Sequence, residues 1–321
     1  MLEMDNKNMN YPLVSVSCAT YNHEKYIRET LEGFLMQRTQ FRFEILINDD
    51  ASTDNTANII REYEAKYPDL IFPLYQNENQ YSKGIVISPT YNWPRARGKY
   101  IALCEGDDYW TDSYKLQKQV DFLEANPEYV FTFHDAVILN QKTGEKRLRI
   151  GDRQIDNTVD LKSLIIQNNI PTASIVFRNF LDYTQLPDWI GKISKGDYGL
   201  CVLLAEEGPG KYLPEAMSVY RVHEGGIWSS KGFEFTHDAD IKFYKFLLDY
   251  FTDSEIRQAI KAKMQWSEFN YGISKIRHGS FIKGLFLVVT NLRLHGDYRL
   301  RTNQRKIASA FKTLLKKNHS G

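Results

Sequence analysis

The chain has 321 residues, 42% of them hydrophobic and 25% charged. That balance excludes a disordered or fibrous chain, and the length suits one large domain with an appendage, or two domains. With 41 basic residues against 40 acidic ones the net charge is +1, so no global field is available for gripping nucleic acid. Leu13–Ala19 reads as a first strand that breaks at Thr20-Tyr21-Asn22. Asn22 is placed to cap a helix carrying Tyr26, Ile27, Thr30, Leu31, Phe34 and Leu35 at helical spacing. Phe43–Ile47 is a second strand and runs into Asn48-Asp49-Asp50; Asp54 then caps a helix reaching Tyr67-Pro68. Ile71–Tyr75 is a third strand. Residues 85–97 lack periodicity, and Pro89 and Pro94 oppose a long helix there. Tyr100–Cys104 is a fourth strand, ending in Glu105-Gly106-Asp107-Asp108. A helix over 113–125 and a strand over Tyr129–Leu139 follow.

Beyond residue 140 the pattern changes. Gln141–Glu145 reads as a hairpin turn, Leu161–Gln167 as a short helix, Ala173–Phe177 as a strand, Tyr198–Glu207 as a helix and Tyr212–Val222 as a strand. After Gly232 the pattern is nearly all helix, over 236–250, 254–278, 280–293 and 302–317. The expected division is an α/β domain over 1–232 and a helical region over 233–321, with a loop rich in glycine and serine at 225–232.

Alternating strands and helices mean parallel βαβ units, and open sheets of that kind bind ligands at the carboxyl ends of their strands. Three strands end in polar clusters: Thr20-Tyr21-Asn22, Asp49-Asp50 and Glu105-Gly106-Asp107-Asp108. Asp and Asn also end strands and cap helices. Three such clusters together point to a site, because adjacent carboxylates repel unless a cation or donor meets them. The acids at 105 and 107 can set oxygen atoms around one hard cation. Mg²⁺ and Mn²⁺ prefer oxygen ligands and keep phosphate oxygens beside them, which is the setting of a nucleotide diphosphate. The 20 Tyr, 18 Phe and 5 Trp serve either core packing or a carbohydrate-facing cleft.

The segment Val14–Asp54, VSVSCATYNHEKYIRETLEGFLMQRTQFRFEILINDDASTD, resembles the N-terminus of a family 2 glycosyltransferase, as does RGKYIALCEGDDYW from Arg97 to Trp110. The resemblance covers residues 12–232 and is densest over the first 125. It implies the GT-A fold, a Rossmann-like and mostly parallel sheet flanked by helices, here with a C-terminal helical extension. It also implies an inverting, metal-dependent enzyme that moves a sugar from a nucleotide diphosphate sugar, UDP-linked, to an acceptor hydroxyl, with Mn²⁺ or Mg²⁺. By the same resemblance Thr20, Tyr21 and Asn22 line the nucleoside pocket. Asp50 reads the uracil edge, and Asp49 contacts the nucleotide or orients the loop. Asp107 matches the metal-binding acid of the family's DxD motif. Glu105 stands where the family usually has Asp; it contacts ribose or sugar, or reaches the metal through water. Asp108 binds or caps the next turn. Many members carry an Arg-Asn pair where this chain has Pro89-Thr90, which leaves Lys83, Arg95 and Arg97 as diphosphate contacts or as solvated surface charges.

In the second half, Lys195-Gly196-Asp197-Tyr198 resembles the family's acidic motif at a helix start, where Asp197 is the general base; a helix N-cap is the competing role. His223 in Tyr220-Arg221-Val222-His223 reaches the metal or the pyrophosphate, or is structural. Trp228 stacks on a sugar or packs on the domain, and His134-Asp135 lines the sugar pocket or ends a core strand. A sugar nucleotidyltransferase would need a basic, Gly-rich N-terminal loop, and residues 13–24 contain neither Gly nor Arg. A non-catalytic, sugar- or partner-binding relative would not need the full set of acids found here.

Cys18, Cys104 and Cys201 lie far apart without a CxxC pair, which suits a reducing compartment. The opening MLEMDNKNMN has no apolar run, so no signal peptide is expected. The expected location is the cytoplasm, and the expected use is bacterial surface polysaccharide synthesis on a saccharide or lipid-linked saccharide acceptor. From Arg299 to Lys317 the chain carries Arg299, Arg301, Arg305, Lys306, Lys312, Lys316 and Lys317 without an acid. Ile307, Phe311, Leu314 and Leu315 share one helical face there, so this segment can lie on the inner membrane surface or pack on the enzyme.

Overall fold

The computed structural model describes residues 11–153, 155–226 and 231–292; Trp228 and the basic segment 299–317 lie outside them. The described chain parts into two units. One holds the residues up to Leu164 with 168–192 and 196–223, and the other holds 165–167, 193–195 and the residues from Glu224 onward.

The first unit is built on one sheet. Its strands are β1 (Val14–Thr20), β2 (Phe43–Asp49), β3 (Ile71–Tyr75), β4 (Tyr100–Leu103), β5 (Tyr109–Trp110), β6 (Phe131–Asn140), β7 (Lys146–Leu148), β8 (Thr158–Val159), β9 (Val176–Arg178) and β10 (Gly210–Val222). The order is β3-β2-β1-β4-β9-β6-β10-β5, with β7 beside β6 and β8 beside β10. β3, β2, β1 and β4 are mutually parallel, β9 lies antiparallel between β4 and β6, and β10 is parallel to β6. The six principal strands therefore share one direction, as the mostly parallel expectation requires. β5, β7 and β8 are additions of two or three residues, too short to show alternation in sequence. Helices α1 (Ile27–Leu35), α2 (Thr56–Lys66), α3 (Lys115–Ala125), α4 (Leu161–Ile166) and α5 (Gly196–Glu207) complete the series.

β1 is covered on both faces, as a central parallel strand must be. Val14, Val16 and Cys18 are sealed on one face, and Ser15 and Ser17 are buried on the other. The polar face is satisfied by a chain of bonds: Ser15 Oγ donates to Glu44 Oε1 at 2.6 Å, Gly98 N donates to Ser15 Oγ at 2.9 Å, and Arg97 Nε donates to Glu44 Oε2 at 2.8 Å. Residues 85–97, just before this network, form a π-helical stretch at Ser88–Asn92 and a 3₁₀ turn at Trp93–Arg95 instead of a long α-helix. Arg95 donates to the Phe72 and Ile47 carbonyls at 2.9 Å each. Lys83 pairs with Glu78. Arg95 is thus engaged by buried carbonyls, whereas Lys83 and Arg97 pair with acids while remaining exposed, as surface charges do. Asn22 does not cap α1. It sits at φ +56°, and the helix begins five residues beyond it, at Ile27, with Tyr26 before it. Asp54 does meet the start of α2, accepting from Thr56 N at 3.0 Å.

The second unit contains α6 (Phe233–Tyr250), α7 (Ser254–Arg277) and α8 (Phe281–Leu292), close to the expected helices. Asp253 caps α7 by accepting from the Glu255 and Ile256 amides. Among the described residues no helix is long and apolar enough to cross a membrane.

Gly98 lies against backbone, where a Cβ would come within 2.5 Å of Ser15 N and 2.7 Å of the Val14 carbonyl carbon. Those atoms belong to a central strand and cannot yield. Gly98→Ala should lower stability by about 1–3 kcal/mol, read as a fall in the urea midpoint without a change in slope.

Candidate active site

Parallel pairing brings three strand ends together. Thr20 stands opposite Asp49 in the β1–β2 register, and Ser17 stands opposite Leu103 in the β1–β4 register. Beyond β4 the chain turns across the end of β1, where Gly106 N donates to Ala19 O at 3.0 Å. A Cβ on Gly106 would lie 2.4 Å from Thr20 Oγ1, so only glycine lets the acidic loop come this close. β10 then brings Arg221 and His223 in from the other side of the sheet.

Glu105, Asp107 and Asp108 each place a carboxylate oxygen within 4.8 Å of the others. Asp107 Oδ2 lies 3.1 Å from His223 Nε2 and 3.7 Å from His23 Nε2. His23 is oriented by Thr20, whose Oγ1 is 3.1 Å from its Nδ1. Arg221 clasps the loop. Its guanidinium donates to the Asp107 carbonyl, pairs with Glu29 and lies 4.3 Å above the Tyr109 ring, and its amide donates to Asp108 Oδ1 at 2.9 Å. Asp108 Oδ2 is buried with no hydrogen-bond partner among the described residues. Asp108 therefore ties the loop to β10, a third role beside the two that sequence offered.

These surroundings separate the three acids. Burial raises Asp107, but the His223 hydrogen bond and the nearby His23 outweigh it and hold the carboxyl below its ordinary range. Burial, then repulsion from Asp107 and Glu105, pushes Asp108 well above that range. Glu105 is recessed among protein atoms yet open to solvent. Its partial loss of water raises the carboxyl, and repulsion from Asp107 and Asp197 adds to the rise. His23 is lowered, since burial outweighs the pull of Asp107. The loop thus has more acceptors than donors and one buried oxygen without a partner. Oxygen donors beside an imidazole nitrogen suit a divalent ion of the Mg²⁺ or Mn²⁺ kind.

Asp197 lies in the first turn of α5, not at its cap. Thr172 Oγ1 donates to its Oδ2 at 3.0 Å. Asp49 is buried and accepts from Ser52 Oγ at 2.5 Å. Asp50 is buried too, and its two oxygens accept from Gln80 N at 2.8 Å and Tyr81 N at 3.0 Å. The following residue, Ala51, has φ +60°, a left-handed conformation costly for any residue with a Cβ. Asn22 bridges to the same loop, accepting from Thr53 N at 2.7 Å. Tyr21 and Tyr81 present exposed rings, and Tyr81 lies close enough to Glu105 to feel its charge. His134 and Asp135 end in the core: Asp135 accepts from the Ala136, Ile150 and Gly151 amides.

The sequence profile described as Glycosyl transferase family 2 matches residues 15–184, more than half of the chain and the whole acidic loop. The chain belongs to that family. An uncharacterised protein of Mycobacterium tuberculosis is 41% identical over 217 residues, which cover 68% of this family 2 chain and 61% of the relative. The chain thus spans less than two thirds of that relative's length. The putative teichuronic acid biosynthesis glycosyltransferase TuaG of Bacillus subtilis is 30% identical over 203 residues, covering 61% of this chain and 78% of TuaG. Among solved structures, S. aureus TarS 1–349 in complex with UDP-GlcNAc superposes with a TM-score of 0.60 at 17% identity, covering 96% of this chain and 92% of that one. The mannosyltransferase PcManGT of Pyrobaculum calidifontis, in complex with GDP-Man and Mn²⁺, gives 0.60 at 17% identity, covering 95% and 87%. At such identities the likeness is one of fold, the GT-A fold expected from the sequence.

Sequence reasoning missed His23, Glu29, Arg221 and Thr172. Arg221 carried a signal, because it lies near the end of β10 two residues before His223, the spacing at which extended chain points side chains the same way. Thr172 carried none.

The raised Glu105 carboxyl has a signed consequence. Where the unfolded chain has lost this proton and the folded chain keeps it, stability falls as pH rises, and the loss ends once folded Glu105 ionises. The melting temperature should therefore fall above the ordinary glutamate range more steeply in the parent than in Glu105→Gln. Mn²⁺ should shrink the difference, and equal slopes in its absence would refute it.

Proposed function

We propose that this family 2 glycosyltransferase is an inverting enzyme that moves a sugar from a UDP-sugar to an acceptor hydroxyl. The observation that carries the reading is the gathering of Glu105, Asp107, Asp108 and His223 at one end of the sheet, with the Asp197 charge near enough to raise Glu105. Asp107 and His223 would hold a divalent cation, Mn²⁺ or Mg²⁺, whose charge offsets that developing on the departing diphosphate. Glu105 faces the sugar or ribose of the donor. Thr20, Tyr21 and Asn22 border the nucleoside, and Asp50 has lone pairs left for a base N–H while the Gln80 and Tyr81 amides hold it still. TarS with UDP-GlcNAc has the same fold and supports UDP; PcManGT with GDP-Man marks the alternative that the test must separate.

Asp197 acts as the general base. With Oδ2 engaged by Thr172, it takes the acceptor hydroxyl proton as the new C–O bond forms on the side opposite the leaving group. The acceptor is a saccharide or lipid-linked saccharide of a bacterial surface polysaccharide, in keeping with the name of TuaG. The enzyme works in the cytoplasm, in peripheral contact with the inner membrane face. The catalytic domain is residues 1–232 and the helical region 233–321.

Asp197→Asn should lower turnover about a hundredfold to ten-thousandfold while leaving the UDP-induced rise in melting temperature intact. Turnover equal to the parent's would remove the base assignment. In a thermal-shift panel of UDP, GDP, dTDP and CMP with and without Mn²⁺, UDP with Mn²⁺ should give the largest rise. A larger rise with GDP would remove Asp50 as a uracil reader.

A further inference from the structure

In the second unit, α7 and α8 meet at two glycines. A Cβ on Gly272 would lie 2.8 Å from Gly284 O, and one on Gly284 would lie 2.7 Å from Gly272 O and 2.8 Å from Ile276 N. Backbone in contact with backbone commits that side of α8 to α7. Val288, one turn from Gly284, is 2% exposed. At about 100° per residue, Ile282, Phe286 and Val289 fall on the opposite side of the helix. They are 85%, 66% and 56% exposed. A stripe of Ile, Phe and Val open to water on a helix whose rotation is fixed needs a partner.

Charge says which partner. α8 carries Lys283 and no acid. From Phe281 to the end of the chain, nine basic residues stand against Asp297 alone, a net +8. The whole chain carries +1, which leaves −7 for the residues before Phe281. Almost all the excess positive charge therefore follows or flanks the exposed stripe. A second copy docking on it would bring two +8 segments together, and a single 12-residue helix face offers too little area for a stable dimer. An anionic lipid surface receives both features, because apolar side chains enter the headgroup boundary while the cations stay at the phosphates.

We propose that the Ile282–Phe286–Val289 face of α8 docks this chain on an anionic lipid bilayer. The inference deepens the membrane side of the proposed function and rests on that reading only for the lipid-linked acceptor it would bring within reach.

The test is flotation of the full chain with vesicles of phosphatidylcholine alone or mixed with phosphatidylglycerol. The parent should float with the mixed vesicles, less so as salt rises, and stay behind with phosphatidylcholine alone. The triple variant Ile282→Ser, Phe286→Ser, Val289→Ser should bind the mixed vesicles at least about tenfold more weakly, at an unchanged melting temperature. The native cysteines are buried, so a Phe286→Cys variant can be labelled selectively with a polarity-sensitive dye, which should shift to the blue on the mixed vesicles. A triple variant that floats like the parent would overturn the proposal. So would a parent that ignores both vesicles, or a dye that reports no change. A parent dimer that becomes monomeric in the triple variant, with vesicle binding unchanged, would assign the stripe to a second copy instead. The UDP thermal shift is read alongside; its loss in a chain that still floats would count against donor binding alone.

Discussion

Three carboxylates within four residues repel one another, and the architecture around β4 answers that repulsion. Two unit charges about 4 Å apart cost about 4 kcal/mol near a protein surface, against a total stability of about 5–15 kcal/mol. Left alone, the Glu105–Asp108 loop would open. Arg221 opposes this with its guanidinium on the Asp107 carbonyl and its amide on Asp108, and His23 and His223 flank Asp107. The compensation is uneven. Asp107 is kept ionised while Asp108 and Glu105 are pushed up. Two of the three acids therefore favour their neutral form in the cation-free loop, and only Asp107 favours its charge.

The same loop is held from behind by a rigid support. Trp110, two residues past Asp108, is sealed in the core, and its indole N–H donates to Ala173 O at 2.9 Å. The adjacent Thr172 carries the bond to Asp197. One indole thus links the acidic loop to the segment that orients the candidate base. Beneath it Lys115 is fully buried, with its Nζ 4.1 Å from the Trp110 ring centre. Burial lowers this ammonium to about 7, and the ring face offsets part of the cost of keeping it charged.

Much of the first unit was legible because its rules are local. Alternating strands and helices predict parallel crossovers, and runs such as Val14–Cys18 and Phe43–Ile47 mark the strands that the crossovers join. Asp107, Glu105 and Asp197 stood out because a cluster of adjacent acids at one strand end calls for a cation or donor, and because all three fall in segments that carry a family resemblance. The role of Arg95 is not legible in the sequence for the opposite reason. A lone arginine reads as a surface charge until the fold brings the Phe72 and Ile47 carbonyls to it. Asn22 has the residue type of a cap, but its left-handed backbone turns the chain so that its side chain meets Thr53 instead.

By itself the sequence determined the parallel α/β core, the family and the acids that the proposed chemistry would use. Each of these depends on periodicity or on residues adjacent in the chain. Only the tertiary structure decided which nitrogen meets Asp107, which hydroxyl meets Asp197, and which face of α8 looks outward. His223 lies 116 positions from Asp107, Thr172 lies 25 from Asp197, and the side of α8 is chosen by a glycine contact with another helix. Such pairings are set by packing and hydrogen-bond completion across the fold, and no local pattern in a single chain encodes them.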